Sequence, residues 1–213
     1  MRALTPPDRW LAILLAALAG YVDSLGFLHL GGVFVSFMSG NTTRMAVGLA
    51  EGRWAAAAEV AGILTLFVLG AMIGALAAGG EGARSRSRVL AVEALLLAGA
   101  ALAAGVGMAP LAVGLMVMAM AIENSVFLRD GEVGVSLTYM TGTLVKLGQA
   151  LAAALRGRGD PWAFRPYLAL WAGLTGGALI GALAYGALGL AALWPAALFA
   201  GLLAVLTRLS RAA

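Results

Sequence analysis

Two stretches without a single charge, residues 94–122 and 166–207, constrain this chain more than anything else in its sequence. A helix crosses the hydrocarbon core of a bilayer with about 20 apolar residues. Each stretch is too long for one crossing and must be divided. Gly107-Met108-Ala109-Pro110 divides the first, and residues 186–189 divide the second, because glycine and proline end helices. Apolar residues make up 62% of the chain and charged residues 11%, against about 45–50% and about 25% in soluble domains. A soluble fold of 213 residues could not hide that much apolar surface and still cover its outside. With no cysteine, disulfide scaffolds, thiolate zinc sites and iron–sulfur clusters are excluded. The net charge of +4 does not point to nucleic acid, because the basic residues lie mostly in the short gaps between apolar runs. That is the pattern of cytoplasmic loops in a multi-pass membrane protein, whose partner is the lipid bilayer.

The expected fold is an all-α membrane protein with six long transmembrane helices, at about 9–29, 56–80, 88–106, 110–129, 164–186 and 190–208. Two shorter apolar stretches, 33–51 and 135–155, are left over. These two resemble each other. Val33-Phe34-Val35-Ser36-Phe37-Met38-Ser39-Gly40-Asn41 lines up with Val135-Ser136-Leu137-Thr138-Tyr139-Met140-Thr141-Gly142-Thr143, and Arg44 then matches Lys146. Upstream, Asp23-Ser24 aligns with Glu123-Asn124 and Gly31 with Gly131. Downstream, the run from Gly70 to Ala77 aligns with that from Gly177 to Ala184. The chain therefore reads as one membrane domain made of two repeats, 1–106 and 107–213.

The basic residues favour a topology. If both short stretches cross, there are eight spans, and Arg84, Arg86 and Arg88 face the side opposite Arg2 and Arg9. If both are re-entrant, Arg2, Arg9, Arg84, Arg86, Arg88, Arg129, Arg156, Arg158, Arg165, Arg208 and Arg211 share one face, and only Arg53 sits opposite. The positive-inside bias prefers this arrangement. Three spans per half then give an inverted repeat, with both termini on the cytoplasmic side of the cell (inner) membrane.

Polar residues inside such a protein are candidate sites. Ser39 or Asn41, and Thr141 or Thr143, are natural helix N-caps beside the flexible Gly40 and Gly142. The two half-helix N-termini, with Thr42 nearby, would offer free backbone N–H groups to a solute. Asp23 and Glu123 lie within apolar helices, where an ionised carboxylate costs roughly 2.5–3.5 kcal/mol, with Ser24 and Asn124 beside them. Arg44 and Lys146 sit about one turn into the half-helices. The expectation is that Asp23 and Glu123 neutralise them, the alternative being that both cations bind an anionic substrate. His29 reads as an interfacial residue, and Glu59 and Glu93 as ordinary helix-start carboxylates. Trp10, Trp54, Trp162 and Trp194 lie where interface anchors belong. No catalytic motif, phosphate-binding loop or metal-ligand pattern is present, so neither enzymatic activity nor a cofactor is expected.

Gly20-Tyr21-Val22-Asp23, the run from Phe27 to Phe34, Met38-Ser39-Gly40-Asn41, Glu123-Asn124 and Tyr139-Met140-Thr141-Gly142-Thr143-Leu144 carry a resemblance to the bacterial YoaK family, domain-of-unknown-function family 1275. The resemblance spans nearly the whole chain. It implies a multi-pass membrane protein and small-molecule transport, with no substrate assigned. The family usually has Gln-Asn at the place of Glu123-Asn124, which leaves Asp23 as the stronger titratable candidate. The expected function is transport of a small polar or anionic solute through a central site, coupled through Asp23 to an ion such as the proton. A passive channel of the same build and a non-transporting structural or sensory subunit are the competing readings. A homo-oligomer is compatible with either.

Overall fold

A computed structural model describes residues 5–80, 82–129, 132–133 and 140–209. Arg2, Arg211, Gly131 and the 135–139 part of the second short stretch lie outside the described residues. The chain forms α1 (Pro6–His29), α2 (Met38–Ala50), α3 (Trp54–Ala78), α4 (Ala83–Gly105), α5 (Ala109–Glu123), α6 (Met140–Leu155), α7 (Arg165–Leu188) and α8 (Leu193–Leu209). Short 3₁₀ turns extend α5 over Asn124–Phe127 and join α7 to α8 over Gly189–Ala192. A two-residue antiparallel ladder pairs Leu128–Arg129 with Glu132–Val133.

The boundaries follow local chemistry. Thr5 caps α1 by accepting from the Asp8 N–H, and prolines sit at the first turns of α1, α5 and α7, where the missing N–H costs nothing. Gly107 and Gly189 take positive φ at the two expected breaks, 79° and 57°. Five stretches are long and apolar enough to cross a membrane, the last of them, Arg165–Leu209, containing both α7 and α8. Large side chains are exposed along their flanks, among them Leu76, Leu95, Leu102, Leu183, Leu198 and Leu206. Apolar patches of this extent mark contact with lipid or a partner rather than water. Trp10, Trp54, Trp162 and Trp194 are exposed near helix ends, and the Arg165 guanidinium stacks 3.7 Å from the Trp162 ring.

Packing is dominated by α1 against α7, α3 against α5, and α4 against α5 and α8; α2 lies on α3 and α6 on α7. Glycine permits the two tightest crossings. Gly173, Gly177 and Gly181 of α7 face Ile13, Ala17 and Tyr21 of α1 so closely that a Cβ at Gly177 would overlap the Ala17 carbonyl oxygen. Residue numbers rise together, so α1 and α7 run parallel. In α3, Gly70 and Gly74 face Met118 and Ile122 of α5, with the position of a Cβ only 2.9 and 3.0 Å from their Cα atoms. These helices are parallel as well. Close backbone approach at small residues is how helices gain packing energy in lipid, where apolar burial between helices supplies little.

Side-chain contacts define two ends of the bundle. At one, Arg86 of α4 pairs with Asp8 of α1 and lies 5.1 Å from the Phe127 ring centroid. Arg88 donates to the Ala78 carbonyl and Ser87 to that of Ala204. The starts of α1 and α4 thus meet the ends of α3, α5 and α8 at this basic end. At the other, His29 and Leu30 share a cavity with Glu59, Ala109 and Pro110, and the His29 ring contacts the Tyr185 hydroxyl at 3.2 Å.

Candidate functional site

The residues singled out around Asp23 come together, but they hold a loop rather than frame an open site. After α1, Gly31 and Gly32 turn the chain at φ of 63° and 101°, and residues 33–37 run back alongside the helix. Val35 nests against Gly26, where any Cβ would strike it. Asp23 Oδ1 accepts from the N–H groups of Val35 (2.9 Å) and Ser36 (2.8 Å). Asn41 is fully buried; its Oδ1 accepts from the Phe34 N–H at 3.0 Å and its Nδ2 donates to the Phe34 carbonyl at 2.6 Å. That two-point clamp imitates a strand pairing and satisfies an otherwise stranded peptide group. Phe27, Phe34 and Phe37 stack beside it with centroids 4.8 and 5.2 Å apart. Ser24 donates to the Tyr21 carbonyl at 2.8 Å and packs at Gly181.

Three expectations need correction. Ser39 and Asn41 are not N-caps: α2 starts at Met38 with Phe37 ahead of it and no side-chain cap, so both lie within the first turn. Likewise α6 starts at Met140, placing Thr141 and Thr143 inside the helix. The Thr42 and Thr43 hydroxyls bond back to the Met38 and Ser39 carbonyls. Second, the expected pairing of Asp23 and Glu123 with Arg44 and Lys146 is absent among the described residues. The recorded ion pairs are Arg53–Glu51 and Arg86–Asp8, Asp23 is occupied by the loop, and Arg44 and Lys146 are exposed. The Arg44 guanidinium lies against Gly32. Third, the two short helices do not converge. One packs on α3 and the other on α7, and of four cavities found among the described residues none is lined by residues of both. Ser39 and Thr141 are exposed, Gly40 and Gly142 half-buried, and Thr143, like Asn41, is buried.

The alignment of Asp23 with Glu123 shifts by one residue when read from contacts. Gly181 meets Tyr21 and the Ser24 hydroxyl, whereas Gly74 meets Ile122 and the Ser125 hydroxyl. This places Ser24 beside Ser125 in correspondence, Asp23 with Asn124, and Glu123 with the buried Val22. The Asn124 side chain donates to the Met120 carbonyl at 3.0 Å.

Glu123 of α5 shares the interface with α4, whose Glu93 the sequence pattern had marked as ordinary. Glu93 and Glu123 are both 0% exposed, and none of their four carboxylate oxygens has a hydrogen-bond partner among the described residues. A signal for Glu93 was present. It lies on the stripe formed by Val89, Leu90, Leu97 and Ala100, the helical spacing of a buried face.

A polar cavity among the described residues lies at the end opposite Arg86. Of roughly 410 Å³, it is lined by Leu30, Val33, Thr43, Arg44, Gly48, Arg53 and Glu59, among others. Its size suits a small solute, since ligand pockets run about 300–1,000 Å³. It borders α1, α2 and α3, and the short helix α2 supplies one wall. No group of three or more metal-ligating side chains is found among the described residues.

An α-helical membrane protein with buried polar anchors is thus the class defined by this architecture. The family model described as "Protein of unknown function (DUF1275)" matches residues 11–206, and the chain belongs to that family. It is also 35% identical over 167 residues to a UPF0700 transmembrane protein of Rhizobium meliloti (strain 1021), the match covering 78% of this chain and 71% of the relative. No solved structure matches it.

Proposed function

We propose that this protein is a transporter of a small polar or anionic solute, built as an inverted repeat of three spans and one re-entrant short helix per half. The observation that carries the reading is the matched pair of glycine crossings. The segments 70–77 and 177–184, alike in sequence, pack on α5 and α1 respectively through the same register, while α1 leaves the basic end and α5 approaches it. Inverted halves of this kind are the common plan of secondary transporters.

Re-entrance is supported by where α2 starts and finishes. Leu30 and Arg53 line one cavity, so the chain between them leaves and rejoins the same end of the bundle. Arg9, Arg84, Arg86, Arg88, Arg165 and Arg208 fall at the other end, which the positive-inside bias assigns to the cytoplasm, together with both termini. The solute meets the protein in the cavity around Thr43, Arg44, Arg53 and Glu59, whose guanidinium groups favour an anion or a strongly polar molecule. Asp23 and Asn41 serve this site by fixing the loop that carries α2.

Purified protein in liposomes, tested against a panel of small carboxylates, phosphate and neutral polar solutes, provides the check. Saturable uptake of a panel member, weakened in Arg44→Gln and accompanied by thermal stabilisation, is expected. Flux that neither saturates nor responds to Arg44→Gln would make the protein a channel. No stabilisation and no flux across the panel would leave it a structural or sensory subunit.

A further inference from the structure

The interior carries a second polar feature that the solute cavity does not use. Glu93 and Glu123 lie at about the same level of the packed helices α4 and α5, whose register is fixed by Arg86 against Phe127 and Gly99 against Leu115. That level is toward the basic end, whereas the solute cavity opens at the opposite end. Both side chains are completely buried without a hydrogen-bond donor on any oxygen. Along their own helices they are flanked by the fully buried Leu90, Leu97, Met116 and Met120. Two unneutralised anions cannot coexist there, since bare carboxylates in an apolar interior repel strongly and lack solvation. Some positive occupant must accompany them.

Among the described residues no cationic side chain is placed to be that occupant; Arg88 of α4 donates to the Ala78 carbonyl. Arg86, two turns along α4, is committed to Asp8 and to the Phe127 ring. Among the helices packed on α4 and α5, α3 carries only Glu59 and α8 only Arg208, both close to helix ends. From α1, Tyr21 donates to the Ala192 carbonyl and Asp23 is held by Val35 and Ser36. The turn after Glu123 offers Asn124 and Ser125, neither of them ionisable. A bound metal ion needs several more oxygen ligands than two carboxyl groups supply, and among the described residues no third acidic or histidine side chain joins them. A proton needs none.

We propose that Glu93 and Glu123 form a proton-binding site inside the membrane domain, shared between the two carboxyl groups and screened from the basic end by the Asp8–Arg86–Phe127 contact. Arg86 joins α1 and α4 of the first half to the turn after α5 in the second, so separating these elements would open a path to the pair. The site does not depend on solute transport. It binds a proton whether or not the cavity at the other end carries a substrate.

Infrared difference spectroscopy on the full chain in liposomes tests this. A band from protonated carboxylic acid should be present, lost in Glu93→Gln and in Glu123→Gln, and titrated by pH. Sodium at constant pH should leave it unchanged. In Arg86→Gln the same band should exchange its proton for deuterium faster than in the wild-type chain. Gln keeps the shape of Glu, and circular dichroism of each variant verifies the helices. Absence of the band, or its persistence in both folded Gln variants, would overturn the proton site. Loss of the band on adding sodium would make it a sodium site instead. An unchanged exchange rate in Arg86→Gln would remove the screening role. Since no transported solute enters the measurement, failure of the transport reading would leave these results intact.

Discussion

Replacing Asp23 separates anchoring from charge. Its Oδ1 accepts two backbone N–H groups, those of Val35 and Ser36, at 2.9 and 2.8 Å. Both residues are buried, at 0% and 8% exposure, so water cannot take over the bonds. Hydrogen bonds to a charged acceptor contribute about 1.5–3 kcal/mol each, against about 0.5–1.5 kcal/mol for neutral ones. Asp23→Ala removes both and should ease opening of the loop over residues 33–37 by about 3–6 kcal/mol, or roughly 10²–10⁴-fold faster amide exchange at about 1.4 kcal/mol per tenfold. Asp23→Asn presents an oxygen in the same place and loses only the charge assistance. Its cost should be about 2–3 kcal/mol, roughly 30–100-fold in exchange. Hydrogen–deuterium exchange on peptides covering residues 33–41 measures both. Equal protection in Asp23→Ala and wild type, or identical loss in Asn and Ala variants, would refute the anchoring account. Asp23→Asn with an intact loop but no solute uptake would assign Asp23 an ion-coupling task as well.

Asn41→Ala unpairs both polar groups of the Phe34 peptide and should loosen the same loop by about 2–4 kcal/mol, read by the same exchange experiment; Asp23 and Asn41 share this loop, so their double variant should depart from additivity. Gly177→Ala forces α1 and α7 apart at the Ala17 carbonyl and should destabilise by about 1–3 kcal/mol. Gly176→Ala, with open space around it, should change the thermal midpoint little, and equal effects at the two positions would contradict the crossing. Because the chain has no cysteine, Arg53→Cys and Arg156→Cys report topology directly. Impermeant thiol reagents should label them from opposite sides of the membrane, and labelling from one side would sink the re-entrant arrangement.

Much of the fold was legible because lipid imposes simple rules on sequence. Uncharged runs of given length specify spanning helices, Gly107 and Gly189 had to break them, and tryptophans and arginines had to gather at the ends. The likeness of segments 70–77 and 177–184 was legible too, while the meeting of their glycines with α5 and α1 came from the packing. Side-chain partnership was not legible. Asp23 sought an acceptor's role from a cation in the sequence pattern, yet the nearest donors are backbone N–H groups of a loop folded back by Gly31 and Gly32. Asn41 had the composition of a ligand, and tertiary packing made it a clamp. The two short helices resemble each other in sequence, but α2 rests on α3 and α6 on α7, so likeness did not bring them to one cavity. Glu93 had looked mundane by position along the chain. Only the meeting of α4 with α5 set it against Glu123, because periodicity fixes which face of a helix is buried while the opposing helix decides what is buried against it.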